Sequence, residues 1–146
     1  MPYTNQNYTA GVYEDIIYIE LKANETMAIM DVVTLSSTAG EVEKCLATER
    51  PFGFSAQTVT TDGIDQIALN GLITRTAKVD DVIGVYLNGG ILKASGNAGE
   101  SISIGDLLYA SGGKLITTAT ANGTAVAETI TTPDATTGLI TIKALI

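Results

Sequence analysis

The chain has 146 residues, with 16 Asp and Glu against 8 Lys and Arg, no His and one Cys, giving a formal net charge of -8. Without an imidazole there is no His-based acid/base chemistry near neutral pH, and neither a Ser-His-Asp nor a Cys-His arrangement can form within the chain. One Cys and no His cannot supply the four ligands of a Cys/His zinc site, a single Cys closes no intrachain disulfide, and a net negative domain is repelled by phosphate, which argues against nucleic-acid binding.

Length points to one domain. A chain of this size buries roughly 68–70% of its unfolded surface, enough for a core without metals or bridges. The hydrophobic content of 45% agrees with a globular protein, and the charged fraction of 16% is low against a typical ~25%. The first residues, MPYTNQNYTAG, have neither a basic start nor an apolar h-region. No apolar run approaches the ~20 residues of a membrane-spanning helix. The expectation is a protein made in a cell's cytoplasm, with no membrane partner, or part of an assembly formed there.

In chain order, residues 1–13 read as an extended N-terminal arm and 14–146 as a single β domain. The arm is polar and carries Tyr3, Asn5, Tyr8, Val12 and Tyr13, its candidate partner-binding residues; Tyr offers apolar area and a hydroxyl at low entropy cost. Val12 to Lys22 alternates with period two, Ile17, Ile19 and Leu21 on one face. Short runs rich in Val, Ile and Thr follow at 32–35, 42–47, 52–59, 64–72, 82–87, 91–93, 107–110, 114–117 and 139–146, separated by turn residues. Asp62-Gly63, Asn88-Gly89-Gly90 and Ser111-Gly112-Gly113 supply the positive φ that tight hairpins demand. Only Leu72 to Asp81 and Ala121 to Thr129 suit a short helical turn. The fold class is all-β: a small β-barrel or β-sandwich of about ten short strands.

One pattern recurs: an apolar residue, any residue, Asp, then two apolar residues. It appears in Ile29-Met30-Asp31-Val32-Val33, Val79-Asp80-Asp81-Val82-Ile83 and Ile104-Gly105-Asp106-Leu107-Leu108. Asp31, Asp81 and Asp106 are read as turn-fixing residues, whose carboxylates accept backbone N–H groups ahead of a strand. Their wide spacing is no metal motif, since hard-cation loops cluster their carboxylates.

Other candidates for chemistry are few. Asp62-Gly63-Ile64-Asp65 has too few carboxylates for a calcium loop, and Asp80-Asp81 reads as a solvated turn. Cys45 lies in a strand with no His to activate it. Gly96-Asn97-Ala98-Gly99 lacks the Lys-Ser/Thr of a phosphate loop. Arg50 and Arg75 read as surface or interface charges. No catalytic, cofactor-binding or metal-binding residue is assigned, and no cofactor is expected. A two-carboxylate glycosidase would line its groove with aromatics, and this chain is 5% aromatic with no Trp.

Met27-Ala28-Ile29-Met30-Asp31-Val32-Val33-Thr34-Leu35 resembles the opening strand motif of tailed-phage capsid decoration (cement) proteins. So does Ile104-Gly105-Asp106-Leu107-Leu108-Tyr109-Ala110-Ser111-Gly112-Gly113-Lys114-Leu115, in which a Gly-Asp step leads a strand into a Gly-Lys hairpin. The closing strand Gly138-Leu139-Ile140-Thr141-Ile142 and the composition are also similar. Met30 departs from the pattern, standing where the Gly of the step belongs, and the first 24 residues lie outside the resemblance. The resemblance implies a β-barrel-like protomer that self-associates as a homotrimer on the outer capsid surface of the virion. There it would bridge major capsid protein subunits and stabilise the head. The other readings are a tail or fibre-base component, and a small glycan- or ligand-binding β module.

Overall fold

The structure is a computed structural model that describes residues 17–64, 66–67, 73–74, 76–87, 90–95, 100–134, 136 and 139–146. The arm assigned to residues 1–13 lies outside them. The described residues form fourteen strands and no helix: β1 (Ile17–Ala23), β2 (Val32–Leu35), β3 (Glu41–Lys44), β4 (Gly53–Ser55), β5 (Thr58–Thr60), β6 (Gln66–Ile67), β7 (Ile73–Thr74), β8 (Thr76–Lys78), β9 (Val82–Leu87), β10 (Ile91–Ser95), β11 (Leu107–Ser111), β12 (Lys114–Ile116), β13 (Ala127–Thr129) and β14 (Leu139–Ala144). The all-β expectation holds. The two stretches singled out for a helical turn are corrected: one contains β8 and the other ends in β13. Thr, Ala and Val in these stretches pair with distant strands, and that pairing overrides a weak local preference.

Two five-stranded sheets carry the architecture. The first closes into a barrel in the order β1-β9-β4-β2-β3, and the second runs β10-β14-β13-β11-β12. The two orders are the same order. Their registers also coincide: Ile19 opposite Val85 and Leu21 opposite Ile83 in the barrel correspond to Leu92 opposite Ile142 and Ala94 opposite Ile140 in the second sheet. Ser55 opposite Val85 corresponds to Thr129 opposite Ile142, and Val33 opposite Gly53 to Leu108 opposite Ala127. The chain is therefore a structural tandem repeat, with β1–β9 as repeat 1 and β10–β14 as repeat 2. The Asn88-Gly89-Gly90 stretch, read from sequence as a hairpin turn, joins the two repeats instead: β9 pairs with β1 and β4, and β10 with β14.

Closure distinguishes the repeats. In repeat 1 the parallel pairing of Lys22 with Glu41 and Ala23 with Val42 joins β1 to β3. The Lys22 ammonium lies 3.1 Å from the Glu41 carboxylate. That hydrogen bond and charge, with Asp80 adding, raise the Lys22 pKa. The barrel interior packs Ala23, Met27, Val33, Val42, Val59, Ala77, Ile83 and Val85, with Ile19, Leu21 and Leu87 against them. It is tight at β4, where a Cβ on Gly53 would lie 2.6 Å from Leu87 and 2.7 Å from Val85. The parallel pair β5–β8 and the Met27–Val59 bridge put Met27, Val59 and Ala77 into this core.

Repeat 2 is an open sheet among the described residues. Its inner face alternates along β14: Ile140, Ile142 and Ala144 are buried, while Leu139 and Lys143 are exposed and Thr141 is half-buried. That face, with Leu108, Ala110, Leu115 and Ala127, forms one cluster with Val32, Cys45 and Phe54 from the outer wall of the barrel. Hence Val32 and Val33, neighbours on β2, are both fully buried, in different cores. Phe54 alone is worth ~1.5–3 kcal/mol of burial. Its replacement, Phe54→Ala, should cost about 3–5 kcal/mol in urea unfolding while leaving a single transition, because its cavity opens where both repeats meet. Two separated transitions in the wild-type chain would show that the repeats do not share this core.

Candidate functional site

The three Asp-bearing turns are built alike. In each, the Asp N–H bonds the carbonyl three residues back: Asp31 to Ala28 at 3.1 Å, Asp81 to Lys78 at 2.9 Å and Asp106 to Ser103 at 3.1 Å. Each carboxylate Oδ2 accepts the N–H of that same upstream residue, at 2.9 Å in all three cases. The residue before the Asp has positive φ: Met30 at 67°, Asp80 at 79° and Gly105 at 87°. That residue's N–H bonds a buried neighbour whose own N–H returns to the Asp carbonyl. Met30 and Asp31 clasp Ser55, Asp80 and Asp81 clasp Ala23, and Gly105 and Asp106 clasp Thr129, over 2.7–3.0 Å. Two residues opposing one, the first in the left-handed region, is a G1 bulge. The backbone therefore favours Gly at this step, and Met30 and Asp80 occupy it at a conformational cost of order 1–2 kcal/mol.

The structure does not bring the three carboxylates together. No group of three or more His, Cys, Asp or Glu is placed to hold a metal ion among the described residues. Asp81 is exposed, Asp106 half-buried and Asp31 buried. Asp31 has a second partner that the sequence does not reveal: the Lys114 ammonium, 2.6 Å from Oδ1. Lys114 follows the two-residue turn Gly112-Gly113, both at positive φ, which places the β11–β12 hairpin tip on the barrel. The Gly113 carbonyl accepts from Val32 N–H at 2.8 Å, and Gly113 N–H donates to the Cys45 carbonyl at 3.0 Å. A Cβ on Gly113 would lie 3.1 Å from Lys44 and 3.2 Å from the Asp31 carboxylate. This junction fastens repeat 2 to repeat 1 by hydrogen bonds and one ion pair. With both oxygens of Asp31 engaged, its carboxylate is structural rather than poised for acid/base work.

Cys45 is fully buried at the same junction. Burial pushes its thiol up to about 11 from 9.0, and the Glu49 carboxylate adds to the effect. A thiol held in that form is a weak nucleophile. The grooves offer little more. One groove, of about 700 Å³, is lined by Leu35, Arg50, Phe52, Leu145 and Ile146. The outer surface is more informative: Ile29 and Ile104 are exposed at the tips of two bulge turns, and Ile91, Leu107, Ile130 and Leu139 on the solvent face of repeat 2. Tyr3, Asn5, Tyr8, Val12 and Tyr13 lie outside the described residues.

Two outcomes follow from the junction. Lys114→Ala leaves Asp31 buried without its cation and should lower stability by roughly 2–4 kcal/mol; Lys78→Ala, at an exposed side chain beside the equivalent Asp81, should change it by less than ~0.5 kcal/mol. Equal losses in urea titrations would show that the Asp31 pair is no tighter than a surface contact. For Cys45 the unfolded thiol ionises first as pH rises, so stability falls between about pH 9 and about pH 11. Cys45→Ala should flatten that part of the profile, and the native thiol should resist a disulfide reagent that labels it at once in denaturant.

No protein-family model matches the chain, and no curated protein matches it. Among solved structures, the head fiber gp8.5 N base of bacteriophage phi29 is similar over 88% of this chain and 93% of that chain, at 13% identity and a TM-score of 0.46. At that distance the likeness does not extend to function.

Proposed function

We propose that this chain is a non-enzymatic structural protein of a tailed-phage virion, one that decorates the outer surface of the head and bridges major capsid protein subunits. The observation that carries the reading is where the reactive groups go. Asp31, Asp81 and Asp106 are each committed to their own turn, and the thiol is buried and protonated. Large apolar side chains stand exposed instead, including Ile29 and Ile104 at turn tips, which suits a body that acts through contact surfaces. The resemblance of Ile104 to Leu115 to decoration proteins supports the same reading. In it, Tyr3, Asn5, Tyr8, Val12 and Tyr13 contact the capsid, and the arm adds main-chain hydrogen bonds at a sheet edge of the capsid protein. The net charge of -8 keeps the free protein off nucleic acid.

The test uses purified heads of the parent phage, stripped and then re-decorated. Decorated heads should release DNA at a higher temperature than stripped heads, and deletion of residues 1–11 should leave the thermal melt of the free protein unchanged while weakening cosedimentation with heads. Equal heat-lability with and without the protein would overturn the stabilising role. Full-strength attachment by the truncated chain would remove the arm from the contact.

A further inference from the structure

The tandem repeat identifies one row of side chains that is used in repeat 1 and unused in repeat 2. Across the outer wall of the barrel, lateral pairing aligns Tyr18, Tyr86, Phe54 and Val32. The Tyr rings meet edge to face at 5.8 Å, and Phe54 and Val32 are fully buried beneath repeat 2. The corresponding row in repeat 2 is Ile91, Lys143, Glu128 and Leu107. It faces outward: Ile91 is 42% and Leu107 47% exposed. Lys143 and Glu128 sit directly opposite one another on adjacent strands, yet no ion pair within 4.0 Å is formed by either among the described residues.

The order of this row, apolar–cation–anion–apolar, is self-complementary. A two-fold axis parallel to the strands, through the midpoint between Lys143 and Glu128, turns the row end for end over a second copy. Lys143 then faces Glu128 of the other chain, twice, and Ile91 faces Leu107, twice. An isologous contact requires this reciprocity, in which residue i meets j and j meets i. One row along, the same axis sets Thr141 against the exposed Ile130 of the other copy. Two sheet faces packed this way would shelter two ion pairs between apolar flanks, whereas each chain alone leaves both charges without a salt bridge and both Ile91 and Leu107 in water.

We propose that the solvent face of repeat 2 is a self-association surface, through which two copies of this chain form a two-fold dimer with crossed Lys143–Glu128 ion pairs. This goes beyond the proposed function and does not rest on it.

The experiment is light scattering and native mass spectrometry on the full chain. The wild-type protein should be dimeric. Lys143→Glu and Glu128→Lys should each weaken homodimerisation by at least roughly tenfold, because like charges then face each other twice. An equimolar mixture of the two single variants should recover the affinity as a heterodimer, in which both crossed pairs are again opposite in sign. The doubly exchanged chain, Lys143→Glu with Glu128→Lys, keeps unlike charges across its own strands and folds as the wild type does. It should dimerise with itself and fail to mix with the wild-type chain. A monomeric or trimeric wild type, single variants that associate as well as the wild type, no recovery on mixing them, or free exchange between the double variant and the wild type would each overturn the proposal.

Discussion

Among the described residues, the sheet of repeat 2 does not close around its own apolar face, which is covered by the outer wall of repeat 1. Val32 and Phe54 leave the barrel on the side away from its interior and enter the cluster formed by Leu108, Leu115, Ala127, Ile140 and Ile142. Other features follow from that contact. Strand β2 must be apolar on both faces, so Val32 and Val33 are consecutive rather than alternating. Cys45, at the end of β3, is sealed in the same layer, and its thiol is held protonated by burial. The hairpin tip at Gly113 must come within backbone hydrogen-bonding distance of Val32 and Cys45, and a Cβ there would crowd Lys44 and Asp31 at a positive φ that disfavours a side chain. The Asp31–Lys114 pair then locks the tip at a point where the carboxylate has almost no water.

The G1 bulge is the second organising device. It ends one turn, starts a strand and anchors both to a buried residue on a neighbouring strand, all with main-chain bonds plus one carboxylate. Such a unit orients a strand without needing bulk, which suits a chain with only two Phe and no Trp. In two of the three turns the residue before the positive-φ position, Ile29 or Ile104, stands exposed, whereas Val79 in the third packs against the barrel core. The two repeats use the device at the same topological place, ahead of β2 and of β11, with Ser55 and Thr129 as the clasped residues.

Much of this was legible in the residues. The alternation of β14 between Leu139 and Ala144, the Gly112-Gly113 turn and the recurring Asp all stand out without coordinates, because each depends on neighbours within a few positions. Other features were hidden or misread for the opposite reason. Asn88-Gly89-Gly90 has the composition of a hairpin turn, but the partners of β9 and β10 lie far away in the chain. Residues 76–78 form a strand because β5 is beside them. Met30 looked like a departure from a Gly-Asp step, yet the backbone adopts the same left-handed conformation there.

The sequence by itself determined the chemistry that is absent and the local structure that is present: no imidazole, one thiol, short β-forming runs and turns that end at Asp. Only the tertiary structure decided that the runs pair as two copies of one five-stranded unit, that the first closes and the second leans on it, and that Asp31, the buried one of the three turn carboxylates, meets the Lys114 ammonium. Turn chemistry is set by adjacent residues and can be read from them. Strand partners and register are chosen by which apolar faces can be buried together across tens of residues, and that choice exists only once the chain has folded.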